Sequence, residues 1–292
     1  MLLNKKLHLL QSKSTSKPVT WCKHALLAAI VLAPSNHLLA GPYASSTDST
    51  HAIDGGISSS SDAFVGWAES VEDVYITSSG SGDANNALGE YNSSLLSLGD
   101  LDAAAIANGD TPGSITLAFD GFRNGEGWDF AVFENGFTFD GGLFAELAYV
   151  EVSSDGINFA RFDSISLNTE ANGPGFGSAF QGFDMTNVYN LAGKHASGYG
   201  TPFDLEQLSD HELAIAGTLD LQNIQYVRLI DIPGDGSYLD SQGNGIIDNW
   251  VTTGTGGFDL RAIGYAYAVP EPSMFTLLAG IIIFSIVGTR RR

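Results

Sequence analysis

Short apolar stretches separated by glycine-rich turns limit the possible folds of this chain more than any other feature. Apolar residues alternate with small or polar ones in SITLAFD (residues 114–120) and again in IQYVRLIDI (residues 224–232). This is the pattern of strands that bury one face. The chain also holds 35 glycines and only 16% charged residues, a composition that favours turns over long surface helices. The sequence therefore predicts an all-β fold.

Further segments support the same fold class. DFAVFEN (residues 129–135) is predicted to be a mostly buried strand, and residues 147–165 contain two strands with SSDG as a hairpin turn. Residues 258–269 are predicted to form the closing strand, whereas residues 204–217 have room for a helical turn or two. Because many short strands with such turns stack as two layers, we predict an antiparallel β-sandwich of the jelly-roll type.

The N-terminal segment is predicted to be a signal peptide. Five lysines lie among the first 23 residues and precede the apolar run HALLAAIVLAP. A basic segment followed by a short apolar one is typical of secretory signals, so we assign residues 1–40 to the signal and place its cleavage before Gly41. The alternative is a buried N-terminal helix. The only cysteine, Cys22, lies within this segment, so the exported chain would have no disulfide.

The C-terminal segment, VPEPSMFTLLAGIIIFSIVGTRRR (residues 269–292), is predicted to be a membrane tail. Its apolar part, about residues 273–288, is slightly short for a full span but suits a transmembrane helix. The terminal arginines would stay on the cytoplasmic side under the positive-inside rule. Pro270 and Pro272 prevent the helix from continuing back into the folded body. We therefore expect the exported β-domain to occupy residues 41–268.

This tail closely resembles the PEP-CTERM sorting signal. The resemblance rests on the triplet Pro270, Glu271 and Pro272, on the apolar stretch, and on Arg290, Arg291 and Arg292. It implies recognition by an exosortase, a membrane cysteine protease of Gram-negative bacteria, with cleavage near the triplet. It also implies an inner-membrane anchor before processing, then a cell-surface or matrix location linked to exopolysaccharide and biofilm production. The alternative is a simple anchor that is never processed.

The body also resembles a known group of proteins, from about residue 87 to residue 263. GSITLAFDGFRNGEGWDFAVFENGF, VRLIDIPGDG and GGFDLRAIG are similar to segments of bacterial cell-surface β-sandwich domains. Those domains are related in shape to discoidin-like jelly rolls that bind carbohydrate, so the resemblance implies extracellular polysaccharide as a partner. The aromatic candidates for stacking on sugar rings, or for packing in the core, are Trp67, Trp128, Trp250, Tyr199 and Tyr238.

The body is strongly acidic. Residues 41–269 hold 5 Lys and Arg against 32 Asp and Glu, which gives a net charge of −27 with histidine neutral. Such a surface repels phosphate backbones, so we expect no nucleic-acid partner. The carboxylates remain available as cation ligands, or serve solubility alone.

The densest group of oxygen ligands lies in DIPGDGSYLDSQGNGIIDNW (residues 231–250). Within it, DSQGNGIID partly follows the calcium-loop template, with Asp240 at the first position and Asp248 at the ninth. Val251 stands where the template has a bidentate acid, so further carboxylates are needed. The alternative is a turn whose side chains bond to their own backbone. The predicted calcium ligands are Asp231, Asp235, Asp240, Asn244 and Asp248.

A second acidic group lies in NGEGWDFAVFENG, and includes Glu126, Asp129, Glu134 and Asn135. We expect Asp129 and Glu134 at opposite ends of one strand. One interpretation is a structural metal or a tether between loops. The other is turn chemistry together with one buried, hydrogen-bonded carboxylate.

Signals for an enzyme are scarce. The exported chain has no cysteine, no serine lies in a G-x-S-x-G elbow, and His211 and Glu212 lack the second histidine of a zinc helix. We therefore predict a non-enzymatic surface or matrix protein that binds glycan or matrix, with calcium as its candidate cofactor. The alternatives are a hydrolase of extracellular polysaccharide and a purely structural component of a biofilm matrix.

Overall fold

Two antiparallel sheets form the body of the protein, and side chains from both sheets share one buried apolar cluster. The computed structural model describes residues 40–169, 180–252 and 256–270. Every strand pair in these ranges is antiparallel, and the helices are few and short. These observations confirm the all-β prediction and its sandwich-like character. The predicted signal peptide and transmembrane helix lie outside the described residues.

The strands are short, as the turn-rich sequence predicts. In chain order they are β1 (Ile57–Ser58), β2 (Gly66–Trp67), β3 (Ser70–Tyr75), β4 (Leu96–Ser97), β5 (Ser114–Phe122), β6 (Phe130–Glu134), β7 (Phe137–Phe139), β8 (Gly142–Phe144), β9 (Ala148–Ser153), β10 (Ala160–Arg161), β11 (Ile165–Ser166), β12 (Val188–Tyr189), β13 (Tyr199–Phe203), β14 (Ile224–Asp231), β15 (Asp235–Leu239), β16 (Gly245–Ile247) and β17 (Asp259–Tyr265). The helices are α1 (Ala103–Asn108) and α2 (Glu212–Ile215), with 3-10 turns at Ala84–Ala87, Met185–Asn187 and Leu205–Leu208.

The order of the strands in each sheet differs from their order in the chain. The six-stranded sheet runs β1-β13-β6-β17-β2, with β4 also paired to β17. The five-stranded sheet runs β10-β9-β14-β5-β3. Three two-stranded ribbons, β7-β8, β11-β12 and β15-β16, complete the structure of the described ranges. Because β6 and β17 are neighbours although far apart in sequence, their ends bring distant residues together.

The shared cluster explains why the alternating strands are stable. β5 contributes Ile115 and Leu117 from the five-stranded sheet, and β6 contributes Phe130 from the other sheet. The Phe130 ring is fully buried and lies 5.2 Å from that of Phe203 and 5.4 Å from that of Phe122. Burial of such rings supplies most of the favourable free energy of folding in a chain without disulfides.

β6 is buried on both of its faces. Its alternate residues Ala131 and Phe133 belong to a separate apolar cluster, against which Trp67 and Tyr91 pack. This arrangement accounts for the continuous apolar run that the sequence has there, because both faces of the strand are covered. It also buries the residue at the end of the strand, Glu134.

The two short helical pieces in residues 204–217 confirm the sequence expectation for that segment. Asp204 caps the 3-10 turn by accepting from the Glu206 N–H at 2.9 Å. In the same way, Asp102 caps α1, and Gly109 ends that helix with a φ of 74°. A left-handed residue at this position is readily supplied by glycine.

A buried ion pair fixes the first described segment to the body. Lys194 is fully buried, and its Nζ lies 2.8 Å from Asp54 Oδ2. The same ammonium group donates to the carbonyl oxygens of Met185 and Val188. Asp54 also accepts from the Ala44 N–H at 3.0 Å. The lysine therefore satisfies its charge and its donors within the protein interior.

The last described residues stay attached to the body. Ala268 pairs with Phe122, the Val269 N–H donates to Gly121 at 3.2 Å, and Pro270 is exposed. Among the described residues, no helix combines the length and the apolar character that crossing a membrane requires.

Candidate functional site

Three buried carboxylates meet at one end of the six-stranded sheet. Glu134 ends β6, Asp259 begins β17, and Glu146 lies between β8 and β9. One oxygen from each of these residues, which we call the acidic triad, lies within 4.8 Å of the other two. Ligands on opposite sides of a calcium ion are about 4.6–5.2 Å apart, because each calcium–oxygen distance is about 2.3–2.6 Å. The spacing of the triad therefore suits three ligands of one cation.

Local hydrogen bonds hold two members of the triad in place. The Gly136 N–H donates to Glu134 Oε2 at 2.5 Å, and Asn135 Nδ2 donates to Asp259 Oδ2 at 2.7 Å. A Cβ atom on Gly136 would stand 2.8 Å from Glu134 Oε2, so glycine leaves room for this bond. The opposite oxygen of Asp259 and Oε1 of Glu146 have no hydrogen-bond partner among the described residues. These two oxygens are free to bind a ligand.

Burial makes the negative charges of the triad costly. It raises the pKa of Glu134 and of Glu146 well above the ordinary value, and neighbouring carboxylates add to both rises. It raises the pKa of Asp259 to about 6, although the neighbouring Ser97 side chain, the hydrogen bond from Asn135 and the charge of Arg261 act in the opposite direction. Protons or a bound cation must offset this repulsion.

Three further buried carboxylates adjoin the triad: Asp100, Asp231 and Asp248. Each has one oxygen held by a backbone N–H and one oxygen without a partner among the described residues. Burial raises the pKa of Asp100 to about 7 and that of the other two well above the ordinary value. The backbone donors are Phe258 to Asp231 (2.7 Å), Leu147 to Asp248 (2.7 Å) and Thr252 to Asp100 (3.1 Å).

The five predicted calcium ligands separate into two places. Asp231 and Asp248 belong to the buried group beside the triad, whereas Asp235, Asp240 and Asn244 lie on or next to the β15-β16 ribbon. Asp240 accepts from the N–H groups of Asn244 (2.8 Å), Gln242 and Ser166. Asp235 accepts from both polar groups of Ser237. These bonds match the alternative of a self-capping turn, and calcium in that loop stays a prediction.

The second acidic group of the sequence also separates. Asp129 is buried and accepts from the N–H groups of Gly125 and Leu205, each at 2.7 Å, so it tethers two loops. Glu134 joins the triad, and Asn135 positions Asp259. Glu126 is exposed.

Glu146 and Asp259 are the members of the triad that the sequence analysis missed. Each is a single acid within an apolar stretch, in LFAELAYV and GGFDLRAIG. The available signal was the charge itself, because a carboxylate inside an otherwise buried run needs a partner. The sequence could not identify that partner, because strand pairing brings the members of the triad together over a long sequence distance.

A separate cleft of about 400 Å³ opens beside β1 and β13. Its lining combines the aromatic rings of Trp128 and Tyr189 with polar side chains. Gln207 Nε2 donates to the Tyr189 hydroxyl at 3.0 Å, and Asn190 donates to the side-chain oxygen of Gln207. The ring of Tyr43 stacks on that of Tyr189 at 4.9 Å, which fixes its orientation. The other polar residues of the lining include His51 and Asp204.

The remaining aromatic candidates lie elsewhere. Trp67 packs 5.9 Å from Phe133, and Trp250 donates its indole N–H to the carbonyl oxygen of Leu101. Tyr199 lies at the start of β13, and Tyr238 packs against an apolar cluster. Trp128 is thus the candidate that the structure places in the cleft.

The chain matches no protein-family model, and it matches no curated protein at a significant level.

The buried carboxylates predict an unusual pH dependence when a chelator removes divalent cations. A carboxyl whose pKa is higher in the folded chain than in the unfolded chain contributes its full stabilisation at pH values below the unfolded pKa. This stabilisation is lost as the pH rises through the folded pKa. His195, whose pKa burial lowers to about 3, acts in the opposite direction but only below the unfolded histidine pKa of about 6.5. From about pH 6.5 to 8 the buried carboxyls therefore determine how the stability of the fold changes with pH. Asp100, with a pKa of about 7, titrates within this interval.

We therefore expect the melting temperature in a chelating buffer to fall steadily from about pH 6.5 to about pH 8. Scanning calorimetry in a chelating buffer measures this directly. A melting temperature that rises across that interval would contradict the assigned charge states.

Proposed function

We propose that this chain is an exported, non-enzymatic protein of the cell surface or extracellular matrix, and that it binds glycan in the cleft beside β1 and β13. The observation that carries this proposal is the lining of the cleft, where Trp128 and Tyr189 stand among amide, imidazole and carboxylate groups. A sugar ring has an apolar face that packs on an aromatic ring and hydroxyls that bond to such polar groups.

The fold is compatible with this assignment. The two-sheet architecture is the framework in which discoidin-like jelly rolls bind carbohydrate, and the segments quoted above resemble such domains. We also propose that the strand topology is that of a jelly roll. The rigid strands beside the cleft would hold its side chains ready for a ligand, which reduces the ordering cost of binding.

The proposal also covers export and sorting. The signal segment would direct the chain out of the cytoplasm, and the tail would hold it in the inner membrane. An exosortase would then read Pro270, Glu271 and Pro272. Support comes from the exposure of Pro270, directly after the last residues that bond to the body. Cleavage there would leave the β-domain intact and release it to the surface or matrix.

Substitution of Trp128 tests the glycan site. We expect Trp128→Ala to weaken binding to the host's extracellular polysaccharide roughly tenfold, equivalent to about 1.4 kcal/mol, because the stacking surface is lost. Trp128→Phe should retain most of the binding. Retention of the purified full chain on immobilised polysaccharide provides the measurement.

The matched control is Tyr75→Ala, which removes an aromatic ring that is 48% exposed on β3 in the other sheet. Equal retention of Trp128→Ala and the control would contradict a glycan site in the cleft. Release of sugar fragments from the polysaccharide during incubation would instead favour the hydrolase alternative.

A further inference from the structure

The acidic triad has no ion-pair partner within the described part of the protein, and the nearby charge of Arg261 lowers the pKa of Glu134 and Asp259 without offsetting their burial. Glu134, Glu146 and Asp259 are 2–3% exposed, and no ion pair within the described ranges involves any of them. Carboxylates in such surroundings are usually paired, hydrogen-bonded or bound to a metal. Their mutual spacing of at most 4.8 Å means that their charges also repel one another.

A second observation points to a ligand at this place. Glu146 Oε1 is buried and has no hydrogen-bond partner among the described residues, and the same holds for Oδ1 of Asp259. Oδ1 of the adjoining Asp248 is likewise without a partner in this part of the chain. In each aspartate the opposite oxygen is anchored by a hydrogen bond, so the side chain is fixed while one oxygen stays available.

We propose that the acidic triad binds a calcium ion. Three carboxylates form a hard oxygen site, whereas zinc prefers nitrogen and sulfur ligands. Magnesium requires a shell with metal–oxygen distances of about 2.0–2.1 Å and tends to keep several waters. The burial of the triad leaves little space for the waters that magnesium keeps, so calcium is the better match.

The ion would act as a structural clamp. It would join the start of β17 to the end of β6 and to the segment between β8 and β9, both of which lie more than a hundred residues earlier in the sequence. A disulfide performs this task in many exported proteins, but the only cysteine of this chain is Cys22, outside the β-domain. The residues of the acidic triad do not line the cleft. The proposed calcium site is therefore independent of whether the cleft binds glycan.

The test is calcium binding by the full chain, purified in mild detergent and stripped with chelator. Isothermal titration with calcium chloride at about pH 8 should show binding with a dissociation constant of roughly 1 mM or tighter. Magnesium chloride should bind more weakly. Glu146→Gln should weaken calcium binding roughly tenfold or more, because it removes one ligand charge. Glu72→Gln, the same change at an exposed site on β3, should bind as the wild type does.

Thermal unfolding separates a lost ligand from a damaged fold. In chelator, Glu146→Gln should melt above the wild type, since it removes a buried charge from a repelling cluster. In about 10 mM calcium the order should reverse, because only the wild type gains the full stabilisation from a bound ion. Asp259→Asn should behave in the same way.

Two results would overturn the proposal. One is a wild-type chain whose melting temperature and titration heat do not respond to calcium, which would mean that protons neutralise the triad. The other is a calcium response that persists in Glu146→Gln and disappears in Asp240→Asn, which would assign the ion to the loop after β15. A failed glycan assay affects neither measurement.

Discussion

Replacing Lys194 with methionine should lower the free energy of unfolding by about 3–5 kcal/mol. The substitution removes the ammonium group 2.8 Å from the buried Asp54 carboxylate and leaves that carboxylate only one side-chain partner, the partly exposed His51 imidazole. It also deprives the Met185 and Val188 carbonyl oxygens of their shared donor. Urea denaturation followed by circular dichroism gives the free energy.

Arg161→Met is the control, because Arg161 is partly exposed and its partner Glu151 keeps a second ion pair with Arg228. We expect a loss below about 1 kcal/mol there. Adding Asp54→Asn to Lys194→Met should recover part of the lost stability, since it removes the stranded charge. Equal losses for Lys194→Met and Arg161→Met would mean that the buried pair contributes no more than a surface pair.

Phe130→Ala should also cost about 3–5 kcal/mol, because it opens a cavity between the two sheets. The Phe130 ring contacts the rings of Phe122 and Phe203, which come from the two different sheets. The same denaturation measurement applies. Phe139→Ala, at a ring that is 39% exposed on β7, should change stability by less than about 1 kcal/mol. A loss at Phe130 that does not exceed this control would mean that the shared cluster does not hold the sheets together.

Individual strands were predictable because their pattern is local. The sequence predicts strands at residues 114–120 and 224–232, and the structure has Ser114–Phe122 and Ile224–Asp231. In both, one face meets the core and the alternation follows from that burial. The pairing of β6 with β17 was not predictable in this way. It depends on packing between segments more than a hundred residues apart, about which alternation carries no information.

The same distinction separates the site residues. Asp231 and Asp248 stood out because they lie in a dense run of acids. Glu146 and Asp259 are isolated in sequence, and only the pairing of β17 with β6, which sets Leu260 opposite Glu134, brings Asp259 to the triad. Residues 271–292, with most of the sorting motif, lie outside the described residues, and the exosortase assignment stays a prediction.

The burial of the acidic triad has a consequence for when this chain can finish folding. Free calcium is scarce in the cytoplasm and plentiful outside the cell, and a ligand that binds only the folded state favours folding where that ligand is abundant. With the proposed clamp, the folded state of the newly made chain would be less stable where calcium is scarce than where it is abundant. For the export proposed above, calcium outside the cell would add this stabilisation only after delivery, so the place of delivery would also set the time at which the core reaches its full stability.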